Sequence, residues 1–415
     1  MKPTSSGDRQ KVDYCIIRHA YYPLDNRERK HANALVEAGY SVDVICLRDK
    51  GESPIEDVAG VRVIRLPLQH KRGGVVGYIL EYGLSFWLMT FVLLYRFLRY
   101  RYKVVQVSTM PDFLVFAAVI PKLLGARVLL DLHEPTPELW LTKFGNKKGF
   151  LYWAQAKVEQ WAIRFADRSM TVTPTLRRRF VERGADESRI AIVSNVCDSR
   201  IFDPSKHAGK QSTKVAGRFA LITHGLIEER LGHATVIQAV SKLRDRIPGI
   251  HFEIPGFGEY ESVLKDLVKD LNCQDVVTFL GYLPFADLLT RLHQADIGIV
   301  AMLRNPYSEL IDTNKMYEYI SMRKPVIVSR LLGVEENFDD TCMKLFEPEN
   351  ADELAQCILE LYQNPTLAQT LAENAYARMQ FKTSWDKTKL TFLNLVNELV
   401  SMEQGGLQVH KERAS

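Results

Sequence analysis

Three short segments carry residue types suited to holding an anionic ligand. The first is Thr223-His224-Gly225-Leu226-Ile227-Glu228-Glu229-Arg230-Leu231-Gly232. Its two glycines let backbone come close to a ligand, and Arg230 can make a paired contact to phosphate. It lacks the Gly-Lys-Ser/Thr ending of a P-loop. The second, Ile254-Pro255-Gly256-Phe257-Gly258-Glu259, supplies a Gly-x-Gly turn but no third glycine. The third, Asp312-Thr313-Asn314-Lys315-Met316-Tyr317-Glu318-Tyr319, opens a helix that Asp312 or Thr313 can cap. Lys315 falls in the first turn, where the helix dipole disfavours a cation unless a bound anion such as a diphosphate reverses the penalty. Glu318 lies three residues on, on nearly the same face, and can accept two hydrogen bonds from a ribose diol. Taken singly, these are also an ordinary strand-to-helix turn, a tight turn and a surface Lys–Glu pair. Three phosphate-compatible segments, each following a strand, favour a ligand.

Earlier in the chain, Leu130-Asp131-Leu132-His133-Glu134-Pro135 ends an apolar strand with three ionisable groups. His133 is expected to face a crevice between two domains, although a lone histidine there is as readily structural. The Tyr21-Tyr22-Pro23-Leu24-Asp25-Asn26-Arg27 loop is expected to line the same crevice. The six cysteines, at 15, 46, 197, 273, 342 and 357, form no Cys-x-x-Cys pair and cluster with no histidine. Zinc-site spacing is absent, and buried free thiols are expected.

The elements that must position these residues follow a regular rhythm. Apolar runs at Tyr14–Ile17, Val42–Leu47, Val61–Leu66, Val104–Val107, Arg127–Leu132, Ser169–Val172 and Ile190–Val193 alternate with helical spacing at 26–37, 113–124, 150–165 and 175–183. The rhythm breaks at 203–217, a polar Gly/Ser/Lys-rich stretch, and resumes from 219 to 329. Near-continuous Val/Ile/Leu strands separated by helices predict parallel sheets covered on both faces. The predicted fold class is α/β, with two doubly wound, Rossmann-like parallel-sheet domains facing a cleft. The expected boundaries are 1–202, a linker at 203–217, 218–383, a helix at 384–402 crossing back to the first domain, and a frayed tail at 403–415.

Length and charge agree. At 415 residues the chain suits two to three domains, and 46 % hydrophobic with 25 % charged residues excludes a largely disordered chain. A net charge of +4 argues against a dedicated nucleic-acid binder. That average conceals one segment. Between 71 and 103 six cations (Lys71, Arg72, Arg96, Arg99, Arg101, Lys103) face Glu81 alone, a local charge of +5. The uncharged run Tyr82–Tyr95 is 14 residues, or about 21 Å as a helix, too short for a hydrocarbon core of about 30 Å. It reads either as a helix lying on an anionic membrane surface or as a buried helix flanked by solvated charge. The N-terminus shows no signal-peptide pattern.

Together these motifs resemble the GT-B glycosyltransferases, specifically the retaining glycosyl transferases group 1 (family 4), with a likeness to bacterial surface-polysaccharide enzymes. The resemblance rests on His224-Gly225…Arg230-Leu231-Gly232, Pro255-Gly256-Phe257-Gly258, Phe279-Leu280-Gly281-Tyr282-Leu283-Pro284, Ala295-Asp296-Ile297-Gly298 and Lys315-Met316-Tyr317-Glu318-Tyr319…Lys324-Pro325-Val326-Ile327, in family order. Asn195-Val196 with Phe202, and Asp131-Leu132-His133-Glu134, extend it across nearly the whole chain. It implies a nucleotide-diphosphate sugar bound by the C-terminal domain through Gly225, Gly256, Tyr282, Leu283, Thr313, Asn314 and Glu318. His133, Arg230 and Lys315 are implied as catalytic, and Asp25 and Arg27 as acceptor-side. Two positions depart from the family: Leu226 stands where an arginine usually follows the first glycine, and Leu310 where the first glutamate of Glu-x7-Glu belongs, with Glu309 adjacent.

The expected activity is retaining transfer of a sugar to a glycan or lipid-linked acceptor in surface polysaccharide or glycolipid synthesis. No cofactor and no metal are expected. A cytoplasmic protein, peripheral on the inner face of the cell membrane through 71–103, fits this reading. Rivals are a GT-B nucleotide-sugar epimerase or hydrolase, and a non-catalytic nucleotide-sugar-binding protein, the latter suggested by Leu226 and Leu310.

Overall fold

The computed structural model describes residues 12–69, 75–145, 148–198, 200–206 and 217–412. The chain forms two compact units, one of residues 1–194 with 388–415 and one of 195–387. Of the expected linker, residues 207–216 lie outside the described residues, and Pro204–Lys206 make a single 3₁₀ turn.

The first unit is built on β1 (Tyr14–Tyr21), β2 (Val42–Leu47), β3 (Ile55–Val58), β4 (Val61–Leu66), β5 (Val104–Ser108), β6 (Arg127–Leu132), β7 (Arg168–Thr171) and β8 (Ile190–Ile192). Their order is β3-β4-β2-β1-β5-β6-β7-β8, parallel except for the β3–β4 hairpin. The sheet is doubly wound, so its central strands are covered on both faces, and Ile16, Val44, Val105 and Leu129 are inaccessible. Its helices are α1 (Asn26–Glu37), α2 (Val75–Tyr100), α3 (Val119–Leu123), α4 (Thr136–Phe144), α5 (Phe150–Phe165) and α6 (Pro174–Glu182). Asp25 starts α1 by accepting the Arg27 backbone N–H at 3.0 Å.

Two expectations need correction here. The helix expected at 113–124 is a 3₁₀ segment, Asp112–Ala118, followed by the short α3. The hairpin strand β3 was not expected. Its Glu56 and Asp57 break the apolar pattern, and it is exposed, joined to β4 through Ala59 and Gly60, both with positive φ (54° and 82°).

The second unit carries β9 (Phe219–Ile222), β10 (Gly225–Leu226), β11 (Ile250–Phe257), β12 (Val277–Gly281), β13 (Ile297–Val300), β14 (Val326–Ser329) and β15 (Lys344–Phe346), parallel throughout. Its helices are α7 (His233–Leu243), α8 (Glu261–Asp270), α9 (Phe285–Gln294), α10 (Asn314–Ser321), α11 (Leu332–Glu335), α12 (Ala351–Gln363) and α13 (Pro365–Thr383). One core joins β9, β11 and β13 to α7, α8 and α12 through Leu221, Phe252, Ile299, Val240, Leu264 and Ile358. All six cysteines are free and buried.

The last helix, α14 (Trp385–Glu412), is longer than expected and includes most of the stretch expected to fray. From Thr388 it belongs to the first unit. Phe392 stacks on His31 at 4.3 Å, Tyr40 donates to Asn397 at 2.6 Å, and Arg168 pairs with Glu398.

Candidate active site

Each unit presents a cluster of polar groups at its strand ends.

In the second unit, β9 leads directly into Thr223-His224, and β13 leads through a loop to α10. Glu318, buried on α10, receives His224 Nε2 at 2.7 Å, while His224 Nδ1 lies 3.0 Å from the Tyr319 hydroxyl. With Nε2 donating to Glu318 and Nδ1 accepting from Tyr319, His224 satisfies all three groups and fixes the direction of the carboxylate. Arg230 Nε and Nη2 both lie 2.7 Å from Glu228 Oε2, and the guanidinium stacks over Tyr307 at 4.9 Å. Two anchors hold it in one orientation. Lys315 is partly buried, and burial lowers its ammonium from 10.5 to about 8, with Glu318 opposing the fall and Arg230 adding to it.

Around Lys315 several buried polar atoms have no hydrogen-bond partner: His233 Nδ1 and Nε2, Thr313 Oγ1 and Asn314 Oδ1. Thr313 sits at the N-cap of α10 yet makes no capping bond, and His233 is the first residue of α7. Burial, reinforced by the Lys315 charge, lowers His233 to about 3, so its ring is neutral and one nitrogen can donate. Unsatisfied buried polar atoms cost about 1–3 kcal/mol each. Their concentration beside a cation and two helix starts is what a site awaiting an oxyanion requires. The Asn314 amide can present its NH2 by turning over.

The glycines answer a different demand from the one expected. A Cβ on Gly232 (φ +66°) would fall 1.6 Å from the Ala301 carbonyl oxygen. On Gly256 it would fall 1.9 Å from the Gly225 carbonyl, and on Gly258 2.0 Å from that of Ile227. Gly256, expected to bind donor, therefore makes room for neighbouring backbone. Gly225 lies exposed in β10. Tyr282, just beyond β12, is 67 % exposed, with its ring 6.4 Å from Phe257, and Leu283 beside it is half-buried. An exposed aromatic pair at two strand ends offers a stacking platform for a planar base.

Leu310 is buried and carries no polar function. Glu309 accepts the Leu332 backbone N–H at 2.8 Å and pairs with Arg304 at 2.9 Å, so it anchors the start of α11. Asp312 does not cap α10. Its carboxyl accepts from the Tyr317 hydroxyl, and burial raises it to about 6.

In the first unit, the ends of β1 and β6 bring together Arg18, Asp25, Glu28, Asp131 and His133. Arg27, expected on the acceptor side, is buried: Nε and Nη2 each lie 2.8 Å from an oxygen of Asp131, and Nη1 donates to the Val193 carbonyl at 2.9 Å. With its fork committed, Arg27 supports β6 from inside instead of lining a surface. Asp25, with Arg18 Nη2 at 3.2 Å, sits nearer the surface; burial opposes ionisation, yet Arg18 holds its carboxyl well below the ordinary range. Glu28 moves the other way, raised by burial and by the Asp25 charge, so the proton of this pair rests on Glu28. His133, with its side chain 8 % exposed, has its Nδ1 3.9 Å from Asp131 and without a hydrogen-bond partner. Burial and the Arg18 charge lower it to about 3, so it is a neutral imidazole. Glu28, Asp131 and His133 could together reach a metal ion. A divalent cation there would have to displace Arg27 from Asp131 and sit beside Arg18, so the donor set fits a cation poorly.

Sequence reasoning missed His224, His233 and Phe257 as site residues, and likewise Arg18 and Glu28. His233 had a signal, a histidine directly after the second glycine of its motif. Arg18 and Glu28 lie on the strand and helix that flank the 21–27 loop.

Comparison with known proteins covers both units. Residues 28–196 match the glycosyl transferase 4-like domain, and residues 206–378 match glycosyl transferases group 1. A glycogen synthase of Mycobacterium tuberculosis is 22 % identical over 250 residues, covering 59 % of this chain and 58 % of that protein. A GDP-mannose-dependent monoacylated α-(1-6)-phosphatidylinositol monomannoside mannosyltransferase of Corynebacterium glutamicum is 26 % identical over 219 residues, 51 % of this chain and 57 % of that one. The matches thus span less than two thirds of these relatives. Among solved structures, Anabaena HepE in complex with UDP-glucose superposes with a TM-score of 0.71 at 15 % identity, over 93 % of this chain and all of that one, which shows the GT-B fold.

Proposed function

The chain belongs to the glycosyl transferases group 1 family, and we propose that it transfers a sugar from a nucleotide-diphosphate sugar to a glycan or lipid-linked acceptor with retention of configuration. The observation that carries this is the set of unpartnered buried polar atoms of His233, Thr313 and Asn314 around Lys315, at the starts of α7 and α10. A diphosphate supplies the negative charge and acceptor oxygens that these groups lack. UDP-glucose in a protein of the same fold and GDP-mannose in the name of a relative support a nucleotide sugar as the donor class.

In this reading the base stacks on Phe257 and Tyr282, and Glu318, aimed by His224, takes the ribose hydroxyls. Leu310 at the first glutamate position leaves that task to Glu318 alone. Lys315, the oriented Arg230 guanidinium and the amides at the two helix starts stabilise the charge that develops on the leaving diphosphate. These groups fill the role a divalent ion plays in other transferases, and no metal is assigned one. The sugar–phosphate bond breaks as the acceptor hydroxyl attacks from the same face, and its proton passes to the departing phosphate oxygen. The first unit's cluster receives the acceptor, with Asp25 as hydrogen-bond acceptor and neutral His133 as the group that orients the sugar.

A thermal-shift screen against nucleotide sugars tests the assignment. A donor at 100 times its dissociation constant stabilises the native state by about 2.7 kcal/mol. Stabilisation by none of the common UDP, GDP, ADP and dTDP sugars would refute it. Donor consumption without any acceptor would shift the reading to an epimerase or hydrolase.

A further inference from the structure

Three helices of the first unit present their apolar sides outward. On α2 the exposed side chains Leu80, Leu84, Trp87, Phe91, Tyr95 and Leu98 recur at three- and four-residue spacing, each 55–69 % accessible. They form one stripe about 27 Å long at 1.5 Å per residue. α3 continues the surface with Ile120 and with Leu123, 80 % accessible. α5 adds Phe150, 84 % accessible, with Trp153 and Trp161. The three helices are neighbours: in the 3₁₀ segment that leads into α3, Phe113 packs on Phe86 of α2 at 5.8 Å and Phe116 on Phe165 of α5 at 5.3 Å.

The charge on this face has one sign. The acids within α2, α3 and α5 are Glu81 and Glu159, whose side chains are 9 % and 1 % exposed, facing His19 and Arg183 respectively. Arg99, Lys157 and Arg164 are exposed, as is Lys148 just before α5. Lys157 and Arg164 alternate along α5 with Trp153 and Trp161, so apolar and cationic side chains occupy the same strip. Contiguous exposed apolar surface of this extent marks a partner. Aromatic residues interleaved with cations, and free of exposed acid, complement a layer with an apolar interior and an anionic surface. A second copy of the chain is a poor partner, because face-to-face pairing would set cations against cations. No helix among the described residues is long and apolar enough to cross a membrane.

We propose that α2, α3 and α5 form a docking face for an anionic lipid bilayer, lying in the plane of its headgroups with Trp87, Leu123 and Trp161 inserted. The surface expected at 71–103 is thereby widened to include α3 and α5, while Lys71 and Arg72 lie outside the described residues. The inference stands apart from the donor reading, since it uses none of the residues assigned to the nucleotide sugar.

The test uses the full chain with phosphatidylcholine vesicles and with vesicles that also contain phosphatidylglycerol. The protein should co-sediment with the anionic vesicles at low salt, and its tryptophan emission should shift to the blue. Lys157→Glu with Arg164→Glu should weaken binding at least about tenfold, since each cation near such a surface contributes on the order of 1 kcal/mol. Trp87→Ser with Phe91→Ser should weaken it similarly. Trp153→Phe with Trp161→Phe should retain binding but lose part of the blue shift, which assigns contact to α5. An unchanged thermal transition and unchanged donor-induced stabilisation in each variant exclude misfolding. Absence of binding to anionic vesicles, or equal capture by phosphatidylcholine alone, would overturn the proposal. So would self-association that the α2 and α5 substitutions dissolve, because the face would then join copies of the chain.

Discussion

Replacing Lys315 by Met should make the empty protein more stable while removing its hold on the donor. The ammonium is lowered from 10.5 to about 8, chiefly by burial. At about 1.4 kcal/mol per pH unit this corresponds to about 3 kcal/mol by which the fold disfavours the charged form. Above 10.5 the group is neutral folded and unfolded, and it has no effect on stability. Below about 8 it is charged in both, and the folded state bears the full cost; between these limits stability rises with pH. Met keeps the length and apolar stem of the side chain without the charge. Lys315→Met should therefore gain up to about 3 kcal/mol at pH 7, raising the second unit's melting temperature by about 6–12 °C, and little at pH 10.5. Thermal and urea denaturation at the two pH values measure this, and calorimetric titration with the donor found by the screen measures the loss of binding. In the unmodified protein, donor affinity should fall as pH rises above about 8, because a neutral amine does not compensate the diphosphate. A Lys315→Met protein that is less stable at pH 7 and still binds donor normally would refute the account of Lys315 as a strained cation awaiting an anion.

Three further outcomes are expected. Arg27→Met strands the Asp131 carboxylate in the interior and should cost the first unit about 3–5 kcal/mol in urea denaturation. His224→Ala frees Glu318 to rotate, which should weaken donor binding about tenfold by calorimetry while leaving the second unit folded; loss of the His224–Glu318 bond at no cost in affinity would remove Glu318 from the donor site. Asp112 and Glu159 are raised by burial to about 7 and about 8, which Thr136 beside Asp112 and Arg183 beside Glu159 only partly offset. A carboxyl whose folded value lies above its unfolded one stabilises the fold at low pH and loses that contribution as pH rises through the folded value. Stability of the first unit should thus decline from about pH 4, where the unfolded carboxyls ionise, to about pH 8, and Asp112→Asn with Glu159→Gln should flatten the profile in denaturation at fixed salt.

The elements most legible in the sequence are those whose signals are local. α1 and α10 fall where a capping residue and apolar spacing place them, and β2, β4 and β6 coincide with runs dominated by Val, Ile and Leu. β3 was illegible because a four-residue edge strand with two acids has no apolar alternation to read. The 3₁₀ segment at Asp112–Ala118 has the composition of an α-helix, so its tighter turn depends on packing against α2 and α5. In the site, Lys315, Glu318 and Arg230 were identifiable because their types and their places after strands both point to phosphate and ribose. His224 and His233 carry the same information only once their partners, or the lack of them, are known.

The sequence by itself determined two runs of alternating strand and helix, and with them the strand ends at which chemistry collects. Periodicity, capping and strand length act over a few residues, so they are written locally. The tertiary structure alone decided that Arg27 is consumed by Asp131, 104 residues away, and that Gly256 and Gly258 make room for neighbouring carbonyls. It also decided that Trp87, Leu123 and Trp161 face outward from helices whose composition is that of a core. Burial, pairing and close approach depend on which surface lies opposite, and that is a property of the assembled fold.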